Sequence, residues 1–306
     1  MRNAACSAWC RLFPEAPFAF LTGDLGFMAL EPLRDKMGNW FINAGVAEQN
    51  MVSVAAGMAK AGVSTWVYSI APFAYARPFE QIRNDVCLNR LPVKIVGNGG
   101  GYGYGAMGPS HHAIEDYGVL LGLQGMRVFV PAFADDVEPA IRRMSNCNEP
   151  AYLRLGRCEK PDGYTAPTFQ TWRRLTVGDG PLLIAVGPLA SSLWGQIDTM
   201  EQPHRPELWV LGIMPDAWKV LPEEIIDASR KGRVIALVEE HVAHGGAGQA
   251  LITELVARGA TPKHFKHFCA AGYPSGKYGS QSFHRRESGI DVESVLFRLL
   301  TEGIAR

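Results

Sequence analysis

The sequence has no surplus of charge of either sign: in 306 residues, 30 Lys and Arg stand against 30 Asp and Glu. Binding to nucleic acid or to anionic lipid draws on a positive excess that displaces counterions or attracts headgroups, so the balance argues against both kinds of surface. No apolar run approaches the roughly 20 residues of a membrane span, and the opening stretch MRNAACSAWCRLF lacks the continuous apolar segment of a secretion signal. The six cysteines, at positions 6, 10, 87, 147, 158 and 269, form no CxxC pair and no dense disulfide framework. Reduced thiols in a cytoplasmic protein are the expectation. There is no internal repeat and no low-complexity tract. A small-molecule enzyme fits these absences best.

What the sequence does contain is the composition of a compact α/β protein of two domains, 47% hydrophobic with 33 glycines and 20 prolines. Short branched and aromatic runs alternate with longer segments of helical period, the pattern of parallel βαβ units covered on both faces. A first series places strands at 18–22, 40–44, 65–70, 93–97, 126–131 and 151–155, with helices at 46–61, 79–89 and 135–144. Residues 156–180 carry Gly and Pro at both ends with weak periodicity, as a linker does. A second series places strands at 182–187, 207–212, 234–240 and 263–269, with helices near 191–200, 222–230, 246–258 and 291–302. The expected architecture is a doubly wound parallel-sheet domain over 1–160, a linker over 161–180 and a smaller α/β domain over 181–306.

Open α/β sheets bind ligands beyond their strand C-termini. Asp24, Glu48, the stretch after Ser69 and the stretch after Val96 all follow candidate strands, and the second domain offers one comparable loop, EEHVAHGGAG. Glu48 sits near the start of a helix, where a carboxylate can compensate the dipole or cap the end. Yet that helix, GVAEQNMVSVAAGMAKAG, is small and apolar almost all round, and a buried carboxyl needs a partner or a raised pKa. Such a group can share a proton with a ligand's ring nitrogen. The stretch GYGAMG at 103–108 has the form GxGxxG, but it lies past the strand behind a further glycine run and is not read as a dinucleotide site. PSHHAIED then reads as a helix start carrying His111 and His112. Adjacent helical histidines diverge by about 100°, so proton transfer or a hydrogen bond to substrate suits them better than metal coordination, and solvent exposure is the bland alternative. Phe73, after a strand and a proline, is either core or a platform for a flat heterocycle. Arg154 and Arg157 serve either surface ion pairs or anion recognition.

Five stretches, in order and spacing, resemble the C-terminal half of the transketolase family of thiamine-diphosphate enzymes in its split-gene form: FINAGVAEQNMVSVAAGMAKAG, FEQIRNDV, GPSHHAIEDYGVL, YLRLGR and EEHVAHGGAGQAL. The similarity covers roughly residues 15–270. It implies a pyrimidine-binding domain followed by the transketolase C-terminal domain. By resemblance, Glu48 hydrogen-bonds N1′ of the aminopyrimidine and promotes the imino tautomer that deprotonates the thiazolium C2, while Phe73 stacks on the pyrimidine. His111 contacts the oxygens of the ketose, Arg157 binds the substrate's phosphate, and Asp24 lies where the family approaches the cofactor. The chain departs from the family pattern at Met107, where an Asp selecting a substrate hydroxyl is usual, and at Gly99, where a basic residue is common.

The sequence has no GDG followed by an Asn at the spacing that holds Mg²⁺ and the diphosphate, so no metal ligands are assigned to this chain. The resemblance implies an N-terminal partner subunit that holds both, in an α2β2 heterotetramer, and sugars as substrates. The implied reaction is transfer of a two-carbon ketol unit from a ketose to an aldose. Rival readings are the β subunit of a 2-oxoacid dehydrogenase E1, a decarboxylating carboligase such as deoxyxylulose phosphate synthase, and a non-catalytic assembly or regulatory subunit.

Overall fold

The computed structural model describes residues 1–158, 160–161 and 163–301. Its first six strands are β1 (Ala19–Thr22), β2 (Phe41–Asn43), β3 (Thr65–Ile70), β4 (Lys94–Asn98), β5 (Arg127–Phe129) and β6 (Ala151–Leu155). They form one parallel sheet in the order β5-β6-β4-β3-β1-β2. Every residue of β6 and nearly all of β3 and β4 are buried, because helices cover both faces of the sheet, so most of these positions are apolar and the charged exceptions, Lys94 and Arg154, are hydrogen-bonded within the fold.

Downstream come β7 (Trp172–Arg174), β8 (Leu182–Val186), β9 (Glu207–Leu211), β10 (Ile213–Met214), β11 (Val234–Val238) and β12 (His264–Phe268). Five of these make a second sheet, ordered β12-β11-β8-β9-β7, in which only β7 is antiparallel. β10 instead pairs antiparallel with β5 at the edge of the first sheet, so the second half of the chain extends the sheet of the first. The stretch 161–180 is therefore more than a tether. Trp172–Arg174 pairs with β9, and Trp172 Nε1 donates to the carbonyl of Ala217 at 3.1 Å. Three residues are too few to show an alternating pattern in sequence. Residue 162 of this stretch and residue 302 of the expected last helix, observed as Val292–Thr301, lie outside the described residues.

Among the helices are α1 (Arg2–Glu15), α2 (Glu31–Met37), α3 (Glu48–Lys60) and α4 (Ala71–Tyr75). The strand–helix alternation does not account for α1. It packs Ala5, Trp9 and Leu12 inward at helical spacing, and Trp9 meets the edges of Phe20 and Trp66 at 4.9 and 5.7 Å. Within this chain α3 is buried on one face. Met51, Val52, Ala55, Ala56 and Ala59 pack on the sheet, whereas Val54 is exposed and a Cβ built on Gly57 would meet nothing within 4 Å. A correction falls on PSHHAIED. Gly101 and Ala113 exchange backbone hydrogen bonds of 2.9 Å, which holds the loop extended and delays the helix to Asp116–Leu121.

Candidate active site

Glu48 is the first residue of α3, delivered by a turn after β2 in which Gly45 takes φ +68° and donates its N–H to Asn43 Oδ1 at 2.8 Å. No side chain caps this helix end. The Glu48 carboxylate is only 5% exposed and turns toward Arg77, whose Nη1 donates to both oxygens at 3.1 and 3.0 Å. β3 runs directly into α4, where Pro72 occupies the first turn, a position that needs no N–H donor. This short helix presents half-buried Phe73 to the same rim. The Arg77 guanidinium carbon lies 3.6 Å from the Phe73 ring centroid, and the His111 ring meets Phe73 edge-on with centroids 5.2 Å apart. His111 Nδ1 lies 3.0 Å from Ser110 Oγ, and its ring centroid lies 5.8 Å from that of Tyr104.

Three residues singled out in the sequence, Glu48, Phe73 and His111, thus share one rim, bridged by Arg77. Asp24 lies on the adjoining loop. Asn43 Nδ2 donates to its carboxylate at 3.0 Å, and it faces a cavity of about 510 Å³ lined also by Thr22, Arg34 and Phe41. Arg157 is exposed and lines a different cleft, of about 340 Å³, with Arg2, Asn98, Gly99 and Tyr104. The departure at Gly99 has a steric cause: at φ +80° a Cβ there would run into the Tyr104 ring. Tyr104 accepts a hydrogen bond from Asn98 Nδ2 at 2.8 Å and fills that space. A second guanidinium nevertheless reaches the cleft, from Arg2 on α1. Met107 is exposed in a short turn at Gly105–Met107.

Several other candidates leave the site. His112 is buried, donates from Nε2 to the Gly105 carbonyl at 2.8 Å and accepts at Nδ1 from the Tyr273 hydroxyl at 2.9 Å, the tautomer that the carbonyl requires. Burial holds its pKa below the usual histidine range. Arg154 is no anion receptor: it is buried and pairs with Asp116 at 2.8 Å, while Nη2 donates to the Ala113 and Glu240 carbonyls at 2.8 and 2.9 Å. The EEHVAHGGAG loop is likewise not a rim loop. Glu239, Glu240 and His241 are buried at the junction of the two sheets. Glu239 takes N–H bonds from Ala247 and Gly248 at 2.9 and 3.0 Å, and Glu240 takes them from Tyr102 at 2.9 Å and from Arg285 Nη2 at 2.7 Å. Arg77 and Tyr104 are members of the site that sequence reasoning does not supply. Arg77 stands four residues after Phe73, the spacing at which helical side chains share a face, and that is the available signal.

The rim fits the aminopyrimidine half of thiamine diphosphate. A flat cationic group already makes, on Glu48 and Phe73, the two contacts such a ring requires, a hydrogen bond to the carboxylate and a stack on the aromatic face. Among the described residues no group of three or more His, Cys, Asp or Glu side chains is placed to hold an ion.

Residues 15–161 match the family described as transketolase, pyrimidine binding domain, and the second sheet of the chain follows that match. Over 253 residues the chain is 31% identical to the B-subunit of the apulose-4-phosphate transketolase of Phocaeicola vulgatus, a match covering 80% of this chain and 78% of that one. It is also 30% identical to 1-deoxy-D-xylulose-5-phosphate synthase 2 of Geobacter sulfurreducens, over 92% of this chain but 44% of the other. Among solved structures, one described as a split gene transketolase, inactive β4 tetramer, matches with a TM-score of 0.80 at 26% identity, covering 98% and 97% of the two chains. The chain belongs to the transketolase family, and its full-length counterparts are the C-terminal chains of split-gene members.

Proposed function

We propose that this chain is the small, C-terminal subunit of a cytoplasmic, thiamine-diphosphate-dependent transketolase-like enzyme that moves a two-carbon ketol unit from a ketose to an aldose. A separate subunit supplies the grip on diphosphate and Mg²⁺, in an α2β2 assembly. One observation carries the reading: a buried carboxylate and an aromatic face, set on consecutive βα units, hold a planar cationic group between them. When bound, the cofactor supplies the nucleophilic carbon that takes up the ketol unit. Glu48 holds a proton at the pyrimidine N1′, and Phe73 sets the plane of the ring. Asp24 stands on the neighbouring loop toward the cofactor. His111, against Phe73, hydrogen-bonds the donor's oxygens, and Arg157 takes an anionic end of the substrate.

The name of the P. vulgatus relative supports a sugar phosphate as substrate. Dependence on a second kind of subunit is supported by the β4 tetramer's description as inactive and by the open face of α3. A second reading, decarboxylative carboligation, draws on exposed Met107, which leaves no hydroxyl-selecting carboxylate four residues before His111. Product analysis with pyruvate against a ketose phosphate separates the two. A non-catalytic subunit would not need Glu48, Phe73 and His111 on one rim. The deciding experiment uses the complex of this chain with its partner: Glu48→Gln should abolish exchange of the C2 hydrogen of bound thiamine diphosphate, and exchange at the wild-type rate rejects the assignment.

A further inference from the structure

We propose that Arg77 is a placeholder: its guanidinium occupies the aminopyrimidine position, holds Glu48 and Phe73 in their ring-binding arrangement, and withdraws when the ring arrives. This rests on the reading of Glu48 and Phe73 as the pyrimidine site. The guanidinium and the aminopyrimidine are both flat groups presenting N–H donors in their plane. Arg77 donates in that plane to both Glu48 oxygens, at 3.1 and 3.0 Å, and lies 3.6 Å over the Phe73 ring. A second flat group cannot occupy the same face of Phe73 and the same carboxylate edge, so binding is an exchange.

The exposure of Arg77 makes the exchange feasible. Glu48 is 5% exposed only while the guanidinium covers it and takes water or a ligand when that cover leaves, and the Arg77 side chain is 44% exposed and can regain water as it goes. Its backbone stays anchored, because Gln49 Nε2 donates to the Arg77 carbonyl at 3.3 Å. Only the side chain needs to swing. A partly exposed ion pair and cation–π contact are weak, so the guanidinium satisfies Glu48 while the site waits and yields to a ligand with the same contacts and more apolar area. Arg77 is in this sense a positioning residue that competes with the cofactor it prepares for.

The test titrates the full-length chain with thiamine, which carries the aminopyrimidine and no diphosphate, and follows binding by saturation-transfer NMR at millimolar ligand. Four variants join the wild type: Arg77→Ala, Arg77→Lys, Glu48→Ala and Phe73→Ala. Removing the competitor in Arg77→Ala should tighten thiamine binding by about 3- to 10-fold. Arg77→Lys keeps the charge pair without the flat stack and should fall between it and wild type. Glu48→Ala and Phe73→Ala should bind more weakly than wild type. If these two weaken binding while Arg77→Ala leaves it unchanged or weaker, the placeholder is overturned and the pyrimidine site stands. If wild type binds no better than Glu48→Ala and Phe73→Ala, the pyrimidine reading falls and takes the placeholder with it. A merely structural Arg77 would not raise affinity on removal.

Discussion

Two regions of this molecule are built from the same residue types, and they differ in how completely the chain satisfies them. At the junction of the sheets, Glu239, Glu240, His241, Asp116 and Arg154 are buried, and each carboxylate has at least two partners from this chain, although Asp116 takes both of its on Oδ2 and its buried Oδ1 has none among the described residues. At the rim, Glu48 has among the described residues one hydrogen-bonded side-chain partner, half-exposed Arg77, and Phe73 and His111 are half-buried. A polar cluster held by buried partners has none that it can release to a ligand, whereas one whose partner can leave retains that capacity. Both regions look equally chemical in sequence. The exposure of the partner, more than residue type, sets the candidate rim apart.

The contrast breaks most visibly at Arg154. Arg154→Met leaves the Asp116 carboxylate, in a site with no exposure, without its charged partner and with only the Tyr152 hydroxyl, and should destabilise the chain by about 3–5 kcal/mol in chemical denaturation. A loss below about 1 kcal/mol would show the junction to be no more committed than the rim.

Acid should also undo the junction. Burial alone would raise the carboxyls of Glu239 and Glu240. His267, Tyr117 and backbone N–H groups for the first, and Arg285 with Gln281 for the second, reverse that and hold both below the usual carboxylate range. A lowered carboxylate means the folded state holds fewer protons than the unfolded one. Its stabilisation is complete above the ordinary value of 4.5 and is lost as pH falls through the lowered values. His112, held neutral by burial, acts in the same direction, losing its contribution as pH drops below its ordinary 6.5. Stability measured from pH 7 to 3 should therefore fall, and the fall below pH 4.5 should be shallower in Glu240→Gln. An unchanged slope in that variant would detach Glu240 from the acid response.

How much of the molecule is legible in its sequence follows the same division. All ten expected strands match observed ones to within two residues at each end, most of them because burial on both faces enforces a continuous apolar run. β7 and β10 escape such a reading, since two or three residues paired only by tertiary contact carry no periodicity. α1 escapes it for a different reason: its apolar stripe is narrow, with Arg2, Arg11 and Glu15 interspersed. At the rim, strand ends announce Glu48 and Phe73. His111 is legible by motif but not as part of a loop, because the bridge from Gly101 to Ala113 is invisible to local spacing. Arg154 and His112 mislead, since sequence does not reveal whether a polar side chain is already satisfied.

Closer to the rim the expected effects become smaller and more specific. Arg157 and Arg2 line one cleft, with nothing of the depth seen at Arg154. In the assembled enzyme, Arg157→Ala should raise KM for a phosphorylated ketose about tenfold, close to 1.4 kcal/mol, with kcat little changed. Arg2→Ala should do the same to a lesser degree. An equal effect on an uncharged ketose would remove this cleft from substrate recognition.

The smallest stability effect should come from Arg77→Ala, and its smallness is what the comparison demands. The pair Arg77–Glu48 has the same chemistry as Arg154–Asp116, but one end is 44% exposed, so water replaces the lost guanidinium and an exposed pair contributes only about 0–1 kcal/mol. Chemical denaturation of the variant should therefore lie within about 1 kcal/mol of wild type. A cost of several kcal/mol, approaching that of Arg154→Met, would mean that Arg77 is committed to the fold. A guanidinium so committed could not yield to a ligand, and the rim would then be as closed as the junction.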